Sequence, residues 1–159
     1  MYATLHRTSG TPAEAPDAAL RLRQIGGPLT LTVTLSTERP ADAGAFEVRQ
    51  DCPLTEPNAV AAVAQVLTFA GPVSDAMLAA GERAGRERIA PAMISQPGGV
   101  RQLELWHPEL RRQIMITLAT SLEALEEAGK KIQSLPLLPD EDVALLPGPD
   151  HVEIFRVES

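Results

Sequence analysis

The chain of 159 residues carries one cysteine, five aromatic side chains and two lysines beside twelve arginines. A single thiol, Cys52, forms no internal disulfide and cannot alone hold zinc, which excludes a disulfide scaffold and a zinc-built fold. So few rings leave no base-stacking platform. The net charge of −7, with arginines scattered among Asp and Glu, leaves no basic stripe against phosphates, so nucleic acid is not an expected partner. No apolar run approaches the ~20 residues of a membrane span. Residues 1–7 lack a basic region followed by an apolar stretch, so we expect no secretory signal and a cytoplasmic protein.

What is present is 44% hydrophobic content, ordinary for a globular protein and sufficient for one good core or two small fused half-cores. The organising stretch is Gly98 to Lys131. Arg101, Leu103 and Leu105 alternate with Gln102, Glu104 and Trp106, and Ile114, Ile116 and Leu118 alternate with Gln113, Met115 and Thr117, the period of half-buried strands. His107 to Leu110 joins them as a hairpin loop. Thr120 precedes Glu123 by three residues as a capping box, and Leu122, Leu125, Ala128 and Ile132 follow on one helical face.

Before this stretch, Tyr2 to Thr8 is expected as a strand ended by a turn at Ser9 to Pro12. A short helix is expected from Asp17 to Ile25, stopped by Gly26-Gly27-Pro28. Leu29, Leu31, Val33 and Leu35 alternate with threonines in an amphipathic strand, and AFEVRQD forms a shorter one after the loop Pro40 to Gly44. Residues 53–58 form a proline-bounded linker between an abbreviated first half, 1–52, and a second unit, 59–159. In the second unit Val63 to Ala70 is a strand, Ser74 or Asp75 caps a helix that ends at Pro91 to Gly99, residues 135–149 form a proline-rich segment, and HVEIFRV is the last strand. RLRQIGGPLTLTVTLS parallels MISQPGGVRQLELWH and AFEVRQD parallels VEIFRVE, a weak internal repeat whose first copy lacks a counterpart to the hairpin partner and capped helix.

From Gln65 onward the order is βαββαβ, the split pattern of a ferredoxin-like α+β unit. IAPAMISQPGG, VRQLELWH, RQIMITLATSLEALEEAGKKI and VEIFRV together resemble the antibiotic biosynthesis monooxygenase-like members of the dimeric α+β barrel superfamily. The resemblance implies a ferredoxin-like barrel and one of three outcomes: cofactor-independent oxidation of aromatic polyketides, haem degradation, or no assigned activity. The haem-degrading branch uses an Asn, a Trp and a His; here Asn58 falls in the linker while Trp106 and His107 are adjacent, so the trio does not map and no cofactor is expected. A four-stranded sheet with helices on one face needs its other face covered, either by the first half or by a second chain. The first half is short for closing a barrel, which makes a homodimer the expectation.

The candidate catalytic residues are Trp106 and His107, with Arg49, Arg101 and His6 as candidate substrate-binding residues that alternation could bring to a cavity. Adjacent strand residues point to opposite faces, so at most one of Trp106 and His107 faces a given cavity. Cys52 beside Asp51 has no activating neighbour. Asp140-Glu141-Asp142 and Asp150-His151 match no calcium loop or zinc signature and are expected as solvated loops, with no metal. Two functions remain: a monooxygenase-like enzyme acting on a small aromatic molecule, or a non-catalytic barrel that binds a small ligand or serves as a dimer interface.

Overall fold

Strict apolar alternation sets most of the architecture. The computed structural model describes residues 1–9, 19–41 and 44–158, and places eight strands there: β1 Tyr2–Ser9, β2 Leu20–Gln24, β3 Leu29–Ser36, β4 Phe46–Pro53, β5 Val63–Phe69, β6 Gly99–His107, β7 Arg112–Ala119 and β8 His151–Glu158. All pair antiparallel in the order β1-β3-β2-β8-β5-β7-β6-β4, and the sheet closes into a barrel through β4 and β1. The closing seam is short: Tyr2 faces Glu47, Ala3 faces Phe46, and the Val48 N–H donates to the Met1 carbonyl at 2.9 Å. Every strand sends a side chain into one core, among them Ala3, Leu22, Leu31, Phe46, Val66, Leu105, Ile116 and Phe155. The barrel interior is packed by these aliphatic residues, as small eight-stranded barrels are.

Two repeats of one topology make this barrel. In the second half the neighbours run β8-β5-β7-β6, and in the first half β4-β1-β3-β2, so each half orders its own four strands 4-1-3-2, the ferredoxin-like arrangement. Two expectations are corrected here. The first half does contain the hairpin partner, β2, which pairs with β3 as β6 pairs with β7, so β2 and not β3 is the counterpart of β6; the match of β4 with β8 stands. The first half is also long enough to close the barrel within one chain, so no open sheet waits for a second copy. Among its described residues it has no helix.

The helix expected over 17–25 is a strand from Leu20 to Gln24, with Asp17 and Ala18, and the turn residues 10–12, outside the described residues. Leu22, fully buried, faces Leu31 on one side and Val157 on the other, while Arg21 and Arg23 alternate with it. A two-residue period with cross-strand apolar partners outweighs the helix propensity of a short segment.

The second half carries the helices. Helix α1, Asp75–Ala84, begins at Ser74, whose hydroxyl accepts the Met77 N–H at 3.1 Å. Pro91 does not end it. A π-helical segment, Gly85–Ile89, lets the Ala90 N–H reach the Gly85 carbonyl five residues back, and α2, Ala90–Met93, follows. The wider turn accommodates a residue that has no N–H to give to the helical ladder. Helix α3, Leu122–Ser134, is capped by Ser121, which accepts the Ala124 N–H, and not by Thr120, whose own N–H donates to Gly98. The cap shifted by one residue turns Leu122 outward and packs Leu125 and Ala124 against Val63, Ala119 and Ile154. Gly98, at φ +84°, lies where a Cβ would come within 2.4 Å of Ala124, so glycine is needed for α3 to sit against the start of β6.

The proline-rich segment is tied to the π-helical segment. Arg88 meets the Glu141 carboxylate at 2.9 Å with side chains 13% and 3% exposed, and the same carboxylate accepts the Leu138 N–H at 2.8 Å. Glu141 is therefore a buried partner and not part of a solvated acidic loop. No helix among the described residues is long and apolar enough to cross a membrane.

Candidate functional site

Glu104 and Trp106 are two residues apart on β6, so they share the face opposite the core residues Leu103 and Leu105. That outer face is the one covered by α1. A register shift between Val48 and Gln50 makes Arg49 an extra residue in β4, and its guanidinium lies over the Trp106 ring at 4.8 Å while pairing with Glu82 of α1 at 2.8 Å. A second guanidinium, Arg111, stands 5.5 Å from the same ring. It is held by the Val73 carbonyl and by Asp75 at 2.6 Å, and its own carbonyl accepts the Val73 N–H. Arg111 has φ 48°, a conformation uncommon for a residue with a Cβ, and these contacts fix it.

Glu104 supplies the titratable group. Burial pushes its carboxyl above the usual carboxylate range; a hydrogen bond from Gln113 Nε2 at 2.9 Å and the charge of Arg49 oppose that shift, while the charge of Glu82 adds to it. The result is an acid/base group in a partly dry layer, with an indole beside it and two cations above the indole. Such a layer can offset a developing negative charge and take up a proton.

The structure brings Trp106 and Arg49 together and leaves the other sequence-proposed residues elsewhere. His107 follows Trp106 and faces inward at one barrel end, buried, with its ring edge-on to Phe46 at 5.3 Å and its Nδ1 accepting the Leu110 N–H. Arg101 lies at the opposite end in a two-pronged pair with Asp51, both bonds 2.8 Å, which raises the guanidinium and lowers the carboxyl through those hydrogen bonds. His6 is exposed on β1, opposite Thr32. The candidates therefore stand at four separate places, Trp106 with Arg49, His107 and Arg101 at opposite barrel ends, and His6 on β1, because alternation and barrel ends set them apart. Glu104, Gln113, Glu82 and Arg111 were not singled out from the sequence; only Glu104 carried a signal there, its two-residue spacing from Trp106.

Two cavities of about 390 Å³ each open at the barrel ends. One is lined by Arg101 and Asp51 with prolines, alanines, Val100 and Leu118; the other by Phe46, His107, Leu110 and Arg112 with Gly44 and Glu109. Among the described residues no group of three or more His, Cys, Asp or Glu side chains is placed to hold a metal.

No family model matches the sequence, and no curated protein matches it. Solved structures do match over nearly the whole chain. An uncharacterised ferredoxin-fold protein related to antibiotic biosynthesis monooxygenases, from Listeria monocytogenes, superposes with a TM-score of 0.67 at 13% identity, covering 100% of this chain and 95% of that one. The chain has the fold of that monooxygenase-related group. A haem-degrading enzyme from the same organism has a TM-score of 0.63 at 11% identity, with 99% and 100% covered. A major regulator of staphylococcal pathogenesis has 0.66 at 6%, with both chains fully covered. The ferredoxin-like α+β barrel expected from the sequence is thus the fold of this protein. Asn58 lies in the turn before Ala59, at the barrel end where β6 starts, while Trp106 and His107 lie near its other end on opposite faces of the strand, so these three residues are not brought together.

Proposed function

We propose that the layer between β6 and α1 is the active site of a cofactor-independent, monooxygenase-like enzyme acting on a small, acidic aromatic molecule. The observation that carries this reading is Glu104, a carboxyl whose proton affinity is raised chiefly by burial and which sits beside Trp106 and within the field of Arg49. A carboxylate whose proton affinity is raised by burial is a stronger base toward a phenolic or activated methylene proton. The resulting enolate is flat and electron-rich enough to pass an electron to O2, and Arg49 and Arg111 stabilise its charge while Trp106 supports its ring. For an anthrone-type methylene the balance closes without a reductant: one oxygen atom becomes the new carbonyl, and the other leaves as water with the two methylene hydrogens.

Such a site needs one chain, since the barrel closes internally; a homodimer would be built through another surface, and sedimentation tests for it. We place the protein in the cytoplasm, where the free thiol of Cys52 stays reduced.

A second reading rests on a different observation: both site cations already have carboxylate partners, Glu82 and Asp75. A layer satisfied in this way could hold a small ligand without reaction. Oxygen uptake with a panel of anthrone-like and hydroquinone substrates separates the two. Under the enzyme reading the rate climbs as pH rises through the Glu104 carboxyl, Glu104→Gln lowers kcat by about two orders of magnitude or more, Trp106→Ala raises KM, and His6→Ala leaves the rate unchanged. Uptake no faster than buffer, or full activity in Glu104→Gln, sinks it.

A further inference from the structure

The two barrel ends have cavities of equal size, about 390 Å³, but treat charge differently. At the end where β6 starts, Arg101 and Asp51 satisfy each other through two 2.8 Å bonds. At the end where β6 stops, the cavity is lined by one cation and one carboxylate that do not pair. Arg112 stands directly opposite His107 across the β6–β7 hairpin, and two residues before the core residue Ile114, so both face the barrel mouth. Among the described residues its side chain has one hydrogen bond, a long contact of 3.5 Å from Nε to the Ala70 carbonyl, and no ion-pair partner. Glu109, in the turn that joins β6 to β7, is likewise without an ion-pair partner and exposed. The other inward-facing charges at this end, Arg7 and Glu153, are consumed in a two-pronged pair of 2.8 and 2.7 Å.

The rest of the lining is the Phe46 ring and the Leu110 side chain, with the buried His107 ring edge-on to Phe46 and the Gly44 backbone beside them. We infer that this mouth is a binding site for an α-amino acid with an apolar side chain, its carboxylate on Arg112, its ammonium on Glu109 and its side chain against Phe46 and Leu110. A carboxylate alone would meet Arg112 but also the repulsion of Glu109, and an amine alone the reverse; a zwitterion uses both. The volume falls within the range of roughly 300–1,000 Å³ usual for small-molecule sites and admits a side chain as large as that of phenylalanine. An arginine with no carboxylate partner among the described residues, at a concave mouth, is suited to planar recognition of one supplied by a ligand. The site is separate from the Trp106 layer, since Trp106 and His107 point to opposite faces of β6, and it does not depend on the oxidase reading.

The test is titration calorimetry with L-phenylalanine, together with backbone amide NMR shifts, on the wild type and three variants, each first checked for an unchanged melting profile. L-Phenylalanine should bind saturably and move the amides of residues 107–112. Arg112→Gln and Glu109→Gln should each weaken it by about tenfold or more, and Arg101→Gln should bind as the wild type does. On the wild type alone, 3-phenylpropionate and phenethylamine, each carrying half of the zwitterion, should bind at least about tenfold more weakly than L-phenylalanine. No saturable shift, equal affinity for 3-phenylpropionate, or shifts centred on the amides around Glu104 and Arg49 would overturn the assignment.

Discussion

Leu22 is where the internally closed barrel is most open to attack. It is fully buried at the centre of β2, the strand that joins the first half to β8 of the second. In Leu22→Ala the cavity would be bounded by Leu31 and Val157 on hydrogen-bonded neighbouring strands, walls that cannot collapse inward as a loop could. The cost therefore belongs in the upper part of the range for buried leucines, about 3–5 kcal/mol. For a protein of this length that is a fall in Tm of about 6–20 °C, and a large fraction of the 5–15 kcal/mol typical of a whole domain. Arg23→Ala, on the same strand but exposed and only 3.8 Å from Glu158, should stay within about 0.5 kcal/mol. Urea and thermal melts at two protein concentrations about tenfold apart give the assay. Because closure is intramolecular, the midpoint should not move with concentration. A cost below ~1 kcal/mol for Leu22→Ala, or a midpoint that rises with concentration, would refute closure by the first half.

Two further outcomes test other parts of the fold. Burial raises the Glu104 carboxyl, so its protonated form favours the folded state and its ionised form opposes it: the contribution is fully present below the ordinary glutamate range and lost as pH rises through the raised value. Glu104→Gln should accordingly raise Tm at pH 7 and lose that gain as pH is lowered through the carboxylate range; a destabilised variant at pH 7 with no pH trend would contradict the burial argument. Removing Arg88 leaves Glu141, whose side chain is 3% exposed, without its cation, so Arg88→Met should cost about 3–5 kcal/mol, and Arg88→Met with Glu141→Leu should recover a good part of it in the same denaturant series. If the double variant is no better than the single one, the pair is not the source of the loss.

The hairpin strands of the second half were legible because apolar residues recur at every second position, Leu103 and Leu105 in β6 and Ile114, Ile116 and Leu118 in β7. β2 was not, since apolar residues at 20, 22 and 25 fit either period and the alanines before them favour a helix. With β2 hidden, the first half looked too short to close a barrel. Pro91 misled for a different reason: the π-helical segment before it depends on how the helix packs, which no local pattern records. At the candidate site, the opposition of Trp106 and His107 followed from strand geometry alone, and Glu104 could have been found by counting two residues back from Trp106. Glu82 and Arg111 could not. They reach the indole through the packing of α1 and of the β6–β7 turn on the 71–75 segment, where Gly71, at φ +81°, lets the backbone of Arg111 approach closer than a Cβ would allow.

The two halves share a strand order but not a chemistry, and the difference follows from what covers them. A carboxyl on the outer face of a barrel stays in water and titrates normally unless another layer removes that water. Among the described residues only the second half has helices to do so, and there α1 places Glu82 and Asp75 over the strands that carry Glu104, Trp106 and Gln113. The first half supplies the other requirement, four paired strands that fill and close the barrel, and it also lends Arg49 from β4 at the seam with β6. One half thus rigidifies the floor and contributes a cation, while the other roofs it. On the proposed reading a single chain holds one such site, with its arginines drawn from both halves, so separating the halves between residues 53 and 58 should remove Arg49 from the indole even where each half still folds.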